Sequence, residues 1–172
     1  YTHLTDQDMN GSYGGLAQYG LGISFDMGER SRFFLSGHYG QKAGDPYHNI
    51  DGLSDDDGIH VKYLPLMMGI KVNASDRPGF RLYVGGAIQY AFFWEEVSHG
   101  DIYSNPQDIK ASGSAPGYYF FMGPEIPLGQ GKNAVGAEFG FGGSEGTVGF
   151  SSHSHGIDLK GMQARVYLTM GL

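Results

Sequence analysis

Read back from its last residue, the closing stretch ARVYLTMGL puts Met170, Leu168, Val166 and Ala164 on one face, with Met162 before them. Gly171, Thr169, Tyr167, Arg165, Gln163 and Gly161 fall on the other. Alternation with period two is the signature of a β-strand, whose successive side chains point to opposite faces. Six segments upstream repeat it, bounded by glycine, proline, asparagine or aspartate. Residues 18–26 set Tyr19, Leu21, Ile23 and Phe25 against Gln18, Gly20, Gly22, Ser24 and Asp26. Residues 32–40 alternate Phe33, Leu35 and Tyr39 with Arg32, Ser36 and His38. In residues 61–73, Leu64, Leu66, Met68, Ile70 and Val72 oppose Tyr63, Pro65, Met67, Gly69 and Lys71. Pro65 weakens that segment, because proline has no N–H to give to a ladder. The clearest run places Leu82, Val84, Gly86, Ile88, Tyr90, Phe92 and Trp94 opposite Arg81, Tyr83, Gly85, Ala87, Gln89, Ala91, Phe93 and Glu95. Shorter runs follow over residues 117–126 and 135–142.

The connections are of two kinds. DMGERS, NASDRPG and GQGKN are short, whereas the stretches near 41–58, 97–114 and 144–156 are long, polar and rich in Gly, Ser, Asp, Asn and His. Short turns at one end and long loops at the other are the habit of outer-membrane barrels. Seven segments imply an eighth to close an even-stranded barrel, and the chain offers Tyr1 to Asp8 for it. The expected fold is all-β: a single domain over residues 1–172, an antiparallel up-and-down transmembrane β-barrel of eight strands.

Alternating strands also suit a soluble barrel with an apolar lumen, and the second face separates the two. A solvated face carries many Lys, Glu, Asp and Thr. Here it is mostly Gly, Ala, Ser and Gln, with isolated charges at Arg32, Lys71, Arg81, Glu125, Glu138 and Arg165. Such a set fills a narrow lumen, where small residues leave room for a few long side chains of opposite sign. The other face is lipid-compatible, with Tyr19, Tyr39, Tyr90, Trp94 and Tyr118 as interfacial anchors. No run of 18 apolar residues is present for a transmembrane helix, which leaves barrel strands untouched.

Composition sharpens this reading. The 172 residues include 30 glycines and 14% aromatics, and only 17% are charged, as expected of glycine-rich β structure. Without cysteine there is no disulfide, thiolate metal site or cysteine nucleophile. A net charge of -7 with no Lys/Arg cluster argues against nucleic acid, which needs a basic stripe.

GGAIQYAFFWE, GPEIPLGQGKNAVGAEFGFG and GMQARVYLTMGL resemble the small Gram-negative outer-membrane barrels of the OmpA/OmpW-like superfamily, in patterning and turn chemistry over most of residues 11–172. The resemblance implies the bacterial outer membrane as location. It also implies outer-membrane lipid, lipopolysaccharide and the barrel assembly machinery as partners, and allows a larger outer-membrane complex. The assembly signal would be Val166, Leu168, Met170 and Leu172, with Leu172 where Phe or Trp is usual.

Candidate chemistry is sparse. FSSHSHGID offers Ser151, Ser152, Ser154, His153, His155 and Asp158, but lacks the His-x-Ser spacing of lipid A deacylases, so a polar loop is the simpler reading. His153 and His155, with His48, His60 or His99, have no spacing that fixes a third metal ligand. SDDDG lacks the EF-hand frame, which would need an oxygen ligand at Leu53 and Glu at Leu64. GQGKN lacks the spacing of a phosphate loop. Glu125 and Glu138 are better placed for a lumen salt-bridge network than for paired catalysis, and Glu138→Ala is expected to destabilise the barrel. The expected function is structural or interactive, without catalysis, cofactor or metal: a membrane anchor with loops for surface binding. The alternatives are a narrow channel for small or hydrophobic solutes, a rim hydrolase acting on lipid A, and a soluble ligand-binding barrel.

Overall fold

The computed structural model describes residues 1–4, 15–44, 58–77, 79–98, 109–128, 133–149 and 154–169. They form β1 (Thr2–Leu4), β2 (Gly15–Leu16), β3 (Gln18–Asp26), β4 (Ser31–Gly44), β5 (Gly58–Arg77), β6 (Phe80–Ser98), β7 (Ile109–Pro127), β8 (Ala134–Gly149), β9 (Ser154–Asp158) and β10 (Gly161–Thr169). All are antiparallel members of one curled sheet, in the order β2-β1-β10-β8-β7-β6-β5-β4-β3, with β9 continuing the line of β10 along β8. No helix is present among the described residues.

The two ends of this order, β2 and β3, are separated in sequence by Ala17 alone. The sheet therefore curls round until its first strands lie beside its last. The position between β10 and β3 is held by β1, three residues long. Its Thr2 pairs with Gln163 on one side and Leu16 on the other. The backbone of Tyr1 exchanges hydrogen bonds with Ala164, and among the described residues nothing pairs β10 on that side beyond this point. Of the segment expected as a first strand, residues 5–8 lie outside the described residues.

The strands outrun the alternation that predicts them. β5 has 20 residues and β6 and β7 have 19 each, against a usual length of about 5–6. β4 continues to Gly44, β7 begins at Ile109 and β8 reaches Gly149, all within stretches expected to be long loops. In β7 the cause is visible: Ala111 and Ala115 are buried while Ser112, Ser114 and Pro116 face out. Small residues on both faces keep the pleat and erase the hydropathy signal.

Proline is accommodated by gaps in one ladder at a time. Pro65 pairs with Ala91 of β6, while the β4 ladder skips from Gly37↔Leu66 to Gly40↔Tyr63. Pro124 of β7 pairs with Leu82 of β6, and the β8 ladder breaks beside it. Two glycines bend β8. Gly142 and Gly143 have φ of +152° and +147°, which disfavour a Cβ. A methyl on Gly142 would overlap the carbonyl oxygen of Tyr118, and one on Gly143 that of Leu159.

Candidate functional site

The two faces of the curled sheet differ in kind. Toward the outside point Leu21, Ile23, Leu66, Ile88, Phe120, Met122, Phe139, Val166 and Leu168, all exposed; Leu21 is 88% exposed and Val166 82%. Toward the inside lie Tyr63, Tyr83, Tyr119, Phe93, Glu95, Glu125, Gln89 and Gln163, all buried. The outward face is thus apolar over much of its length, while the inward face mixes apolar and aromatic side chains with buried carboxylates and amides. An exposed apolar face of this extent is unusual for a water-soluble protein.

The interior is built in layers. Toward the short-turn end, Glu125 sits at the centre of a cationic cluster. Arg32 Nη1 donates to its two oxygens at 2.9 and 3.2 Å, Lys71 Nζ lies at 3.2 Å and Arg81 Nη1 at 3.4 Å. The Tyr167 hydroxyl donates to Glu125 Oε2 at 3.2 Å. Register supplies two pairs on the inward face, Arg32 opposite Lys71 and Arg81 opposite Glu125. Lys71 itself opposes Gly85, four residues along β6 from Arg81, so the pairs meet through their long side chains. Arg32 also reaches the exposed Asp26 at 3.1 Å.

A second group lies beside the first. Arg165 Nη1 meets Glu138 at 3.4 Å across the Arg165↔Glu138 pair, and its guanidinium lies 4.2 Å over the Tyr119 ring. Tyr83 joins the two groups: its ring lies 4.4 Å from Lys71 Nζ, and its hydroxyl reaches the Ala137 carbonyl at 3.1 Å and Glu138 at 3.5 Å. Arg32, Lys71, Arg81, Glu125, Glu138 and Arg165 all take part in these contacts. They form two clusters, centred on Glu125 and on Glu138.

Above these come Met67, Phe121 and the Tyr119 ring, then an amide layer. Gln89 Nε2 donates to Tyr63 Oη and, at 2.9 Å, to Ser144 Oγ; Gln163 Nε2 donates to the Gly142 carbonyl at 3.2 Å. Toward the long-loop end, Leu16, Val61, Phe93, Ala91, Ala115, Ile157 and Leu159 pack into an apolar plug. Sequence reasoning placed Tyr83, Gln89 and Tyr119 on this face without assigning them a role. Their parity with Arg81 and Glu125 was the available signal.

Of the aromatic residues expected as anchors, Tyr19, Tyr39, Tyr90 and Trp94 lie on the outer wall toward the long-loop end, and Tyr118 lies mid-strand on β7. Tyr19 packs edge-on against Tyr39 with centroids 5.6 Å apart. Tyr90 meets Phe92 at 5.4 Å, and Phe92 meets Trp94 at 6.2 Å. Tyr118 lies 6.4 Å from Phe141. Beyond this band the outward rows become charged. Lys62 Nζ binds Glu96 Oε2 at 2.9 Å and Lys110 Nζ lies 3.8 Å from Glu96 Oε1. The hydrogen bond from Lys62 holds the Glu96 carboxyl below its ordinary pKa. Lys160 bridges Glu145 at 2.7 Å and Asp158 at 3.0 Å.

Of the serine and histidine stretch considered for catalysis, Ser151, Ser152 and His153 lie outside the described residues, as do His48, His99 and the SDDDG loop up to Asp57. Asp158 is engaged by Lys160, and His60 is exposed. Among the described residues no group of three or more His, Cys, Asp or Glu could hold a metal ion. Met170 and Leu172 of the closing signal are also outside the described residues; Val166 and Leu168 face outward on β10. Compared with known proteins, the chain matches no family model, no curated protein and no solved structure.

Proposed function

We propose that this chain is an outer-membrane β-barrel of eight strands, of the OmpA/OmpW-like kind, whose role is to hold an anchored scaffold in the bilayer and present its long loops for surface binding. The observation that carries this reading is the extent of the exposed apolar face. A soluble monomer's largest apolar patch is about 300–600 Å², whereas here the outward rows of the long strands are apolar over their middle stretches, from Leu66 to Val72 on β5, Leu82 to Tyr90 on β6 and Val135 to Phe141 on β8. Water would make such a wall a strong aggregation surface; hydrocarbon makes it the stable one. Dimensions agree. The ten-residue rise from Leu82 to Phe92, at about 3.3 Å per residue and a barrel tilt of about 40°, spans about 25 Å, the height of an outer-membrane apolar band.

The filled interior favours an anchor over a channel. The Glu125 cluster, the aromatic layer, the amide layer and the apolar plug occupy successive levels. A solute would have to displace paired charges and packed rings. A soluble ligand-binding barrel fares worse, because it needs a water-compatible outward face, where these strands carry Leu, Ile, Met and Phe.

The test is fractionation with a heat-modifiability gel of the exported chain. The expected result is a band in the outer-membrane fraction whose migration changes between unboiled and boiled samples. A soluble protein with unshifted migration would overturn the reading.

A further inference from the structure

The outer wall of β4 to β7 carries a groove of about 460 Å³, bordered on its outward side by Leu35, Leu66, Met68, Ile88, Tyr90 and Pro116. On the same strands, toward the long loops, outward positions carry Trp94, Lys62 and then the Glu96–Lys110 pair. The register fixes their order: Leu66 pairs with Tyr90, Lys62 with Trp94, and Glu96 with Lys110. Four residues separate Leu66 from Lys62, about 13 Å along β5. One wall thus combines an acyl-sized apolar groove, an aromatic band and a cationic cluster, in the order of a lipid's tail, glycerol region and headgroup.

The charge of the cluster selects the headgroup. Among the described residues Lys62 and Lys110 share Glu96, so this cluster holds one more cation than anion, with the exposed His60 beside it. The acidic pair on β8 and β9, Glu145 and Asp158, is engaged by Lys160. Lysine stems can lie along apolar surface while the ammonium stays at the polar boundary.

We propose that the β4–β7 wall is a docking site for a phosphate-bearing membrane lipid, its phosphate held by Lys62 and Lys110 and its chain seated in the groove below. The proposal rests on the membrane reading above and adds a lipid class to one wall. A surplus of one positive charge at the boundary gives about a fivefold preference for an anionic headgroup.

Trp94 is the only tryptophan in the chain and lies between the groove and the cluster, so it reports on the site directly. The full chain is reconstituted in phosphatidylcholine vesicles containing equal small fractions of either chain-brominated phosphatidate or chain-brominated phosphatidylcholine, and Trp94 fluorescence is measured. The expected result is stronger quenching by the brominated phosphatidate, fitted by about fivefold greater occupancy. In the Lys62→Gln/Lys110→Gln double variant the two lipids should quench equally. Equal quenching in the unaltered protein overturns the lipid site and leaves the membrane reading standing. A preference that survives both substitutions also overturns it, since other charges then hold the phosphate. No quenching by either lipid removes Trp94 from the bilayer, and both readings fall.

Discussion

Glu125 is the residue on which most interior charge depends. Its carboxylate is 2% exposed and faces Arg32, Lys71 and Arg81. Removing its charge takes a shared carboxylate from Arg32, Lys71 and Arg81 at once, and breaking a buried pair costs about 3–5 kcal/mol. Glu125→Gln should therefore lower the temperature at which the compact band on the heat-modifiability gel is lost, and by more than Glu138→Gln does. Glu138 meets Arg165 at 3.4 Å, and that guanidinium also donates to Gln163. Equal midpoints for the two variants would refute the ranking. Glu96 offers a milder case at the rim. Its folded pKa is depressed by the Lys62 hydrogen bond, so the contact's stabilisation is present above the ordinary glutamate pKa and is lost as pH falls through the lower, folded one. Carbon-13 titration of the Glu96 carboxyl should give a midpoint below that of an ordinary glutamate, and Lys62→Gln should raise it. A midpoint unchanged by that substitution would show the pair to be too loose to matter.

At the scale of elements, legibility in the sequence followed side-chain size. β6 could be read almost whole because Leu82 to Trp94 alternates large apolar residues with small or polar ones, and its inward Arg81 and Gln89 take the places that parity assigns. The start of β7 was not legible: Ala111, Gly113 and Ala115 alternate with Ser112, Ser114 and Pro116, a pattern with too little hydropathy contrast to separate from a loop. Pro65 weakened the strand reading of its segment, yet it and Pro124 both sit in central strands, because the adjoining ladder is interrupted beside each. Parity alone put Arg32, Lys71, Arg81, Glu125, Glu138 and Arg165 on one face of their strands. Their division into two clusters was not legible, since it depends on which strands face one another across the interior: Arg32 on β4 reaches Glu125 on β7, while Glu138 keeps to its neighbour on β10. The cluster of Lys62, Glu96 and Lys110 joins residues up to 48 positions apart in sequence, from Lys62 to Lys110, and only the register brings them together.

The sheet as a whole has one weak meridian, where β10 and β3 approach with the three residues of β1 between them. On the proposed membrane reading, backbone groups facing hydrocarbon must be paired, so the seam along the part of β10 that no described residue pairs on this side is the most costly line in the wall and the place where it opens first. The pairing of Tyr1 with Ala164 fixes which groups face it. In a regular strand the N–H and C=O of alternate residues point to the same side, so Val166 and Leu168, in step with Ala164, present theirs to the seam. Arg165, Tyr167 and Thr169 present theirs to β8, where Arg165 opposes Glu138 and Thr169 opposes Ala134 in an unbroken ladder. Amide hydrogen exchange of the detergent-folded chain should therefore alternate along β10: fast at Val166 and Leu168, slow at Arg165, Tyr167 and Thr169. β6, paired on both sides along most of its length, should be slow throughout its centre. Uniformly slow exchange along β10 would mean that a further strand pairs with it at the seam. Uniformly fast exchange would mean that β10 itself peels from β8, and that the wall is held by the strands from β4 to β8.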